Sequence, residues 1–141
     1  MGKSDGSQRA GFLERGPLVV AAPGGNIQWR FGPLAEEGRA SLMRARIEKS
    51  SDAGKSWTPQ VSPITVNLLA GSAPSEKVCW AVGASGTILR TINGEHWEQI
   101  PSPTTMDLHS VTARDARHVV VITTEGKTFI TSDGGRTWKR K

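Results

Sequence analysis

Apolar residues along this chain fall in short runs. Leu18-Val19-Val20-Ala21-Ala22, Val78-Cys79-Trp80-Ala81-Val82 and Val119-Val120-Val121-Ile122 are each four or five residues long. Runs of that length predict strands, since a helix needs ten or more residues with an apolar stripe at a 3.6-residue period. Between them stand Gly, Pro, Asp, Asn and Ser, the residues that make turns. Gly and Pro supply 16 and 8 of the 141 positions, enough to interrupt the chain every few residues.

The runs repeat. Ser50-Ser51-Asp52-Ala53-Gly54-Lys55-Ser56-Trp57, Thr91-Ile92-Asn93-Gly94-Glu95-His96-Trp97 and Thr131-Ser132-Asp133-Gly134-Gly135-Arg136-Thr137-Trp138 superimpose, with their tryptophans 40 and 41 residues apart. The first and third fit S/T-x-D-x-G-x-x-W, whereas the middle copy has Asn93 for Asp and is one residue short. Upstream, Asn26 to Gly32, Lys77 to Gly83 and His118 to Thr123 align, which puts Trp29 and Trp80 at one equivalent second-strand position. Gly86 to Arg90 and Gly126 to Ile130 lead straight into their boxes, and Val66 to Ala70 and Met106 to Val111 open the repeats. Four short strands in about 40 residues is the period of a propeller blade. The expected fold is therefore all-β and propeller-like, with about three four-stranded antiparallel blades: residues 1–10 as a flexible tail, 11–60, 61–101 and 102–141.

Each box has a physical reading. Asp52 and Asp133 can accept hydrogen bonds from backbone N–H groups two or more residues on, which closes the turn between the third and fourth strands. Gly54 and Gly135 supply the positive φ that such a turn needs. Trp57, Trp97 and Trp138 then open the fourth strand and bury a large ring against neighbouring strands. Ser50, Asp52, Gly54 and Trp57, with Thr91, Asn93, Gly94 and Trp97 and with Thr131, Asp133, Gly135 and Trp138, form a structural set and not a catalytic one.

On these residues, the repeats resemble the Asp-box or BNR repeats of sialidases. The stretch W-A-V-G-x-x-G-T-I-L-R-T-x-x-G-x-x-W over 80–97 more closely resembles the photosystem II stability and assembly factor-like repeats. That resemblance implies a β-propeller that binds a protein, since the archetypes assist photosystem II assembly by binding a reaction-centre subunit. Many bacterial relatives have no connection with photosynthesis, and the box recurs across unrelated functions, so it speaks for fold more than for function.

Two departures complicate the picture. Trp29 and Trp57 are 28 residues apart where Trp80 and Trp97 are 17 apart, so about eleven residues are inserted in the first blade, at about 33–46. That insertion is helix-favouring apart from Gly38, with acid early and base late. Three blades are also too few to close a ring, because propellers have about four to eight. Either the sheets stay open or chains associate, and a dimer completing a six-bladed ring is the expectation.

Charge and composition mainly exclude. With 18 Lys and Arg against 13 Asp and Glu the net charge is +5, but the basic residues are scattered, which argues against a nucleic-acid footprint. Cys79 is alone, so neither an internal disulfide nor a cysteine-rich zinc site is available. No apolar stretch approaches the roughly 18 residues of a membrane span, and Met1 to Ala10 has no apolar signal core, so a cytoplasmic location is expected.

A search for chemistry finds none. Sialidases use a Tyr nucleophile, an exception among glycosidases, and the chain has no Tyr. Gly54-Lys55-Ser56 lacks the leading Gly of a phosphate loop, and His96, His109 and His118 have no metal-ligand spacing. Neither an enzyme, a metal nor a cofactor is expected. Arg30, Arg90, Arg114 and Arg117 lie near strand ends and loops and are the candidate contacts for a protein partner. The sequence supports a non-enzymatic protein-binding assembly module. A glycan-binding or vestigial glycosidase-like module without catalytic residues stays open as the alternative.

Overall fold

The computed structural model describes residues 18–32, 46–63 and 67–141. The expected tail at 1–10 and the insertion up to residue 45 lie outside these residues. Arg46, the last residue assigned to the insertion, instead belongs to a strand and pairs with Gly32. Among the described residues no helix is long and apolar enough to cross a membrane.

Three four-stranded antiparallel sheets follow one another along the chain, each with its strands in sequence order. Blade 1 holds β1 (Leu18–Ala21), β2 (Gln28–Gly32), β3 (Arg46–Ser50) and β4 (Thr58–Gln60). Blade 2 holds β5 (Leu68–Ser72), β6 (Cys79–Gly83), β7 (Ile88–Thr91) and β8 (Glu98–Gln99). Blade 3 holds β9 (Leu108–Ala113), β10 (Val119–Thr123), β11 (Thr128–Thr131) and β12 (Lys139–Arg140). A 3₁₀ turn, Ala84–Gly86, separates β6 from β7. The all-β, three-bladed architecture expected from the repeat is the one observed.

Strand alternation explains the core. Successive side chains of a strand point to opposite faces, so a sheet covered on both sides reads as a continuous apolar run. In β6 all five residues are buried. Cys79 and Ala81 join Trp29, Phe31, Ile47, Leu89 and Trp97 between blades 1 and 2, whereas Trp80 and Val82 join Ile88, Leu108, Val119 and Val121 between blades 2 and 3. Blade 2 is thus sandwiched. Burying the Cys79 thiol pushes its pKa well up, which leaves it a small apolar filler and not a reactive group.

Register confirms the repeat. Trp29 pairs with Lys49, Trp80 with Arg90 and Val120 with Ile130, each one position before its box. Trp29 and Trp80 do share one position, and blade 3 has Val120 there. The innermost strands of blades 2 and 3 begin at Leu68 and Leu108, two residues later than the apolar run suggests. Asn67 and Asp107 are occupied instead as acceptors, their carbonyls taking the N–H groups of Ala84 and Thr124 at 3.0 Å. Both strands slip register at the next residue, where Leu69 and His109 fall outside the ladder. Equivalent bulges in two blades mark a feature of the repeat, since a bulge bends and twists the strand that carries it.

Candidate functional site

The three boxes come first, because they fix everything around them. In blade 3 the Thr131 hydroxyl donates to Asp133 Oδ1 at 2.7 Å and accepts the Gly135 N–H at 2.9 Å. Asp133 then accepts the Thr137 N–H on Oδ1 at 3.0 Å and the Thr137 hydroxyl on Oδ2 at 2.6 Å. Blade 1 repeats this bond for bond with Ser50, Asp52, Gly54 and Ser56. The hydroxyl before the tryptophan, Ser56 or Thr137, is a member that sequence reasoning missed, because His96 interrupts it in the middle copy. There, Asn93 Oδ1 takes the N–H groups of Glu95 and His96 at 2.9 Å each.

These bonds stabilise the ionised carboxylates. The Ser56 hydroxyl and N–H hold the Asp52 carboxyl down at about 2, and those of Thr137 hold Asp133 lower still. Gly54 and Gly135 have φ of 88° and 92°, and a Cβ on Gly135 would collide with Ile100 Cγ2. Glycine is therefore required twice over at that turn.

The box tryptophans reach back across the seams between blades. Trp97 Nε1 donates to Gln60 Oε1 at 2.7 Å, and its ring meets Trp29 and Phe31 edge-on. Trp138 Nε1 donates to the Pro101 carbonyl at 3.0 Å. The seams are also tied from the other side by the residues just before the first two boxes. Lys49 Nζ lies 2.8 Å from Glu95 Oε2, which holds the Glu95 carboxyl below its usual value. Arg90 Nη1 donates to the carbonyls of Ala116 and Gly134, while its Nε and Nη2 go to Glu98.

Of the four candidate arginines, two are engaged in the fold. Arg30 is paired with Glu48, and its guanidinium lies 4.3 Å from the centroid of the Trp57 ring. Arg90 is tied as above and sits 5.4 Å over Trp80. Arg114, just past β9, donates its backbone N–H to the His118 carbonyl and keeps its side chain exposed. Arg117 is also exposed, on a turn closed by Asp115, which accepts the N–H groups of Arg117 and His118 at 2.8 and 2.7 Å.

The structure brings Arg90 and Arg117 together at one place. A cleft of about 440 Å³ opens along the seam of blades 2 and 3, lined by Ile100, Pro101, the turn from Asp133 to Arg136, and both arginines. Arg136, which the sequence did not single out, completes a set of three. Arg117 and Arg136 make no ion pair among the described residues. Arg30 lies on blade 1, away from this cleft, and Arg114 does not line it. Among the described residues no three His, Cys, Asp or Glu side chains converge as a metal site.

With this geometry in hand, solved structures give the fold its name. The protein described as YCF48 bound to D1 peptide superimposes with a TM-score of 0.73 at 20% identity, over 89% of this chain and 39% of that one. The fold is a three-bladed stretch of β-propeller. YCF48 from Cyanidioschyzon merolae gives a TM-score of 0.71 at 20% identity, over 88% of this chain and 39% of its own. In sequence, the chain is 27% identical over 114 residues to the chloroplastic photosystem II stability/assembly factor HCF136 of Arabidopsis thaliana. That similarity takes in 74% of this chain and 28% of the relative, so the chain spans well under half the length of the proteins it resembles. No family model matches it.

Proposed function

We propose that the chain is a non-enzymatic protein-binding module of the assembly-factor kind, which takes an acidic segment of a partner protein at the cleft between blades 2 and 3. The observation that carries this reading is the pair Arg117 and Arg136, which line the cleft, are exposed, and stand in no ion pair among the described residues, although the Asp133 carboxylate, held by Thr131 and Thr137, lines the same cleft. Guanidinium groups bind carboxylates through two parallel N–H bonds, and a partner's carboxylate supplies what the fold withholds from these two side chains. Arg90 is immobilised by four hydrogen bonds and forms the rigid inner wall. The resemblance to HCF136 supports the assembly role, and a structure of YCF48 in complex with a D1 peptide supports a peptide as the ligand class.

A labelled acidic peptide titrated against the chain tests this by fluorescence anisotropy. Saturable binding is expected, weakening as ionic strength rises, because exposed charges are screened within about 8 Å at physiological salt. Arg117→Glu with Arg136→Glu is expected to weaken it about tenfold or more, the equivalent of about 1.4 kcal/mol. Peptide binding indifferent to both substitutions overturns the cleft assignment. Saturable binding of a sugar, with a change in Trp fluorescence and no peptide binding, replaces this reading with the glycan-binding one.

A further inference from the structure

The middle box differs from its neighbours at one junction. In blades 1 and 3 the residue after the box aspartate donates its N–H to a main-chain carbonyl of the turn before the second strand, Ala53 to Asn26 O at 3.0 Å and Gly134 to Arg117 O at 3.1 Å. The middle copy is one residue short, and its Gly94 N–H falls instead on the Thr91 hydroxyl at 3.0 Å, in a buried bond. That hydroxyl also donates to Asn93 Oδ1, 3.3 Å away. A side-chain oxygen therefore holds a link that the main chain holds in the other two turns.

The junction is Asn93-Gly94. Of the three asparagines in the chain it is the one followed by glycine, since Asn26 and Asn67 precede Ile27 and Leu68. Asparagine is a thermolabile residue because the backbone nitrogen of the next residue can attack its side-chain carbonyl, and a glycine, with no Cβ, leaves that nitrogen the least obstructed. Asp133-Gly134 makes the corresponding turn, with φ of 76° at Gly134 against 78° at Gly94. Its carboxylate is held ionised by Thr131 and Thr137 and so offers no leaving group. Asn93 instead carries an exposed amide, with Nδ2 3.3 Å from His96 Nδ1.

We propose that Asn93 is a deamidation site gated by the middle box, shut while Thr91 holds the Gly94 N–H and open when this turn lets go. In the closed turn Asn93 Oδ1 accepts the N–H groups of Glu95 and His96, which fixes the amide, and burial of the Thr91 bond keeps base away from the Gly94 N–H. Once the turn opens, base takes the Gly94 N–H proton and the nitrogen bonds to Asn93 Cγ. The Cγ–Nδ2 bond breaks, its electron pair stays on Nδ2, and ammonia leaves with a proton from the solvent. Water then adds to either carbonyl of the resulting succinimide ring and breaks that carbon's bond to the Gly94 nitrogen, which recovers its proton. Addition at Cγ gives aspartate and addition at the main-chain carbonyl gives isoaspartate; one water is consumed and one ammonia released, with no oxidant or reductant.

The two products act differently on the fold. Aspartate at position 93 gives the middle box the acid of the other copies, with the Glu95 and His96 N–H groups already placed to hold its carboxylate. Isoaspartate routes the main chain through Cβ and so displaces Gly94. Gly94 O accepts Gln60 Nε2 at 2.9 Å and Gln60 Oε1 accepts Trp97 Nε1 at 2.7 Å, so that displacement unlocks the seam between blades 1 and 2. The site is thus a slow, irreversible switch on that seam. It shares no residue with the cleft between blades 2 and 3, so it stands or falls apart from the peptide-binding reading.

Peptide mapping by mass spectrometry tests it on the full chain, incubated at mildly alkaline pH in heavy-oxygen water so that label marks conversion during the incubation. Conversion is expected at Asn93 ahead of Asn26 and Asn67, about tenfold or more slower in the folded chain than in the chain unfolded by urea. Thr91→Val is expected to raise the folded-state rate, whereas Thr131→Val, the same loss in blade 3, is expected to leave it unchanged. If Thr91→Val fails to fold, urea below the unfolding transition serves in its place on the wild-type chain, and the rate is expected to rise before the fold is lost. Equal rates in the folded and unfolded chains, or a folded-state rate that neither Thr91→Val nor low urea changes, overturns the gate. Label appearing first at Asn26, Asn67 or Asp133 overturns the site.

Discussion

Arg90 Nη1 donates to the carbonyl of Gly134, forty-four positions further along the chain, and so ties the third strand of blade 2 to the turn box of blade 3. The same guanidinium reaches Ala116 O and two of its nitrogens hold Glu98, so one side chain fixes two carbonyls, a carboxylate and, through its position over Trp80, an aromatic ring. Arg90→Ala is expected to cost about 1–3 kcal/mol in urea denaturation, the range for losing partly buried hydrogen bonds to a charged group. Arg90→Lys is expected to recover little, because an ammonium cannot serve these acceptors in the fork geometry that guanidinium provides. Equal stability of Arg90→Lys and wild type would show that charge alone holds the seam.

The box depends on its hydroxyl as much as on its carboxylate. Thr131 is 2% exposed, and its oxygen serves as acceptor for the N–H groups of Asp133 and Gly135 while its proton goes to Asp133. Thr131→Val keeps the shape and strips out the oxygen, leaving a buried N–H unpaired. A loss of about 1–3 kcal/mol is expected, measured as a shift of the denaturation midpoint at constant slope. Thr137→Val removes only an exposed donor to Asp133, and a smaller loss is expected from it.

Acid should loosen the turns in a defined window. Asp52 and Asp115 are held at about 2 and Asp133 lower, each below its ordinary 3.8, by hydrogen bonds to the ionised form. A carboxyl whose folded pKa is depressed contributes stability that is fully present above its unfolded value and is lost as the pH falls through the folded one. Stability is therefore expected to be flat with respect to these groups above about pH 5 and to fall most steeply between about pH 4 and 2. Asp133→Asn keeps an acceptor but removes one such carboxyl, and it is expected to flatten the slope in that window. An unchanged slope in thermal melts from pH 5 down to 2 would mean that the box carboxylates are not the linked groups.

Much of this fold was readable in the sequence, because the box is a local device. Ser50, Asp52, Gly54 and Ser56 bond to one another within seven residues, so their offsets are fixed and visible as a repeat. The strands were legible for a related reason, since alternation writes each buried face into the chain. What stayed hidden was whatever depends on contacts between blades. Arg30, Arg90 and Arg117 look alike as sequence, yet Arg30 and Arg90 are engaged by Glu48, Glu98 and carbonyls 26 and 44 residues away, while Arg117 is free of any ion pair among the described residues. Arg136 was concealed by sitting at a variable box position, occupied by Lys55 in the first copy.

Trp29 and Trp80 offer a matched pair for the last prediction. They hold equivalent positions, both are 0% exposed, and both fill the layer towards the following blade. Trp80 Nε1 donates to the Asp115 carbonyl at 3.2 Å, whereas Trp29 Nε1 is buried without a partner among the described residues. An unpaired buried N–H is a standing cost, and replacing it with an apolar group of similar shape removes that cost while losing some contact area. Trp29→Phe and Trp80→Phe lose a similar volume. Trp80→Phe also loses the hydrogen bond to the Asp115 carbonyl, so it is expected to be the more destabilising by about 1 kcal/mol. The comparison is made by denaturation of the two single variants under one condition. Equal losses would show that the indole N–H of Trp29 has a partner in solution, and ring volume alone would then account for both.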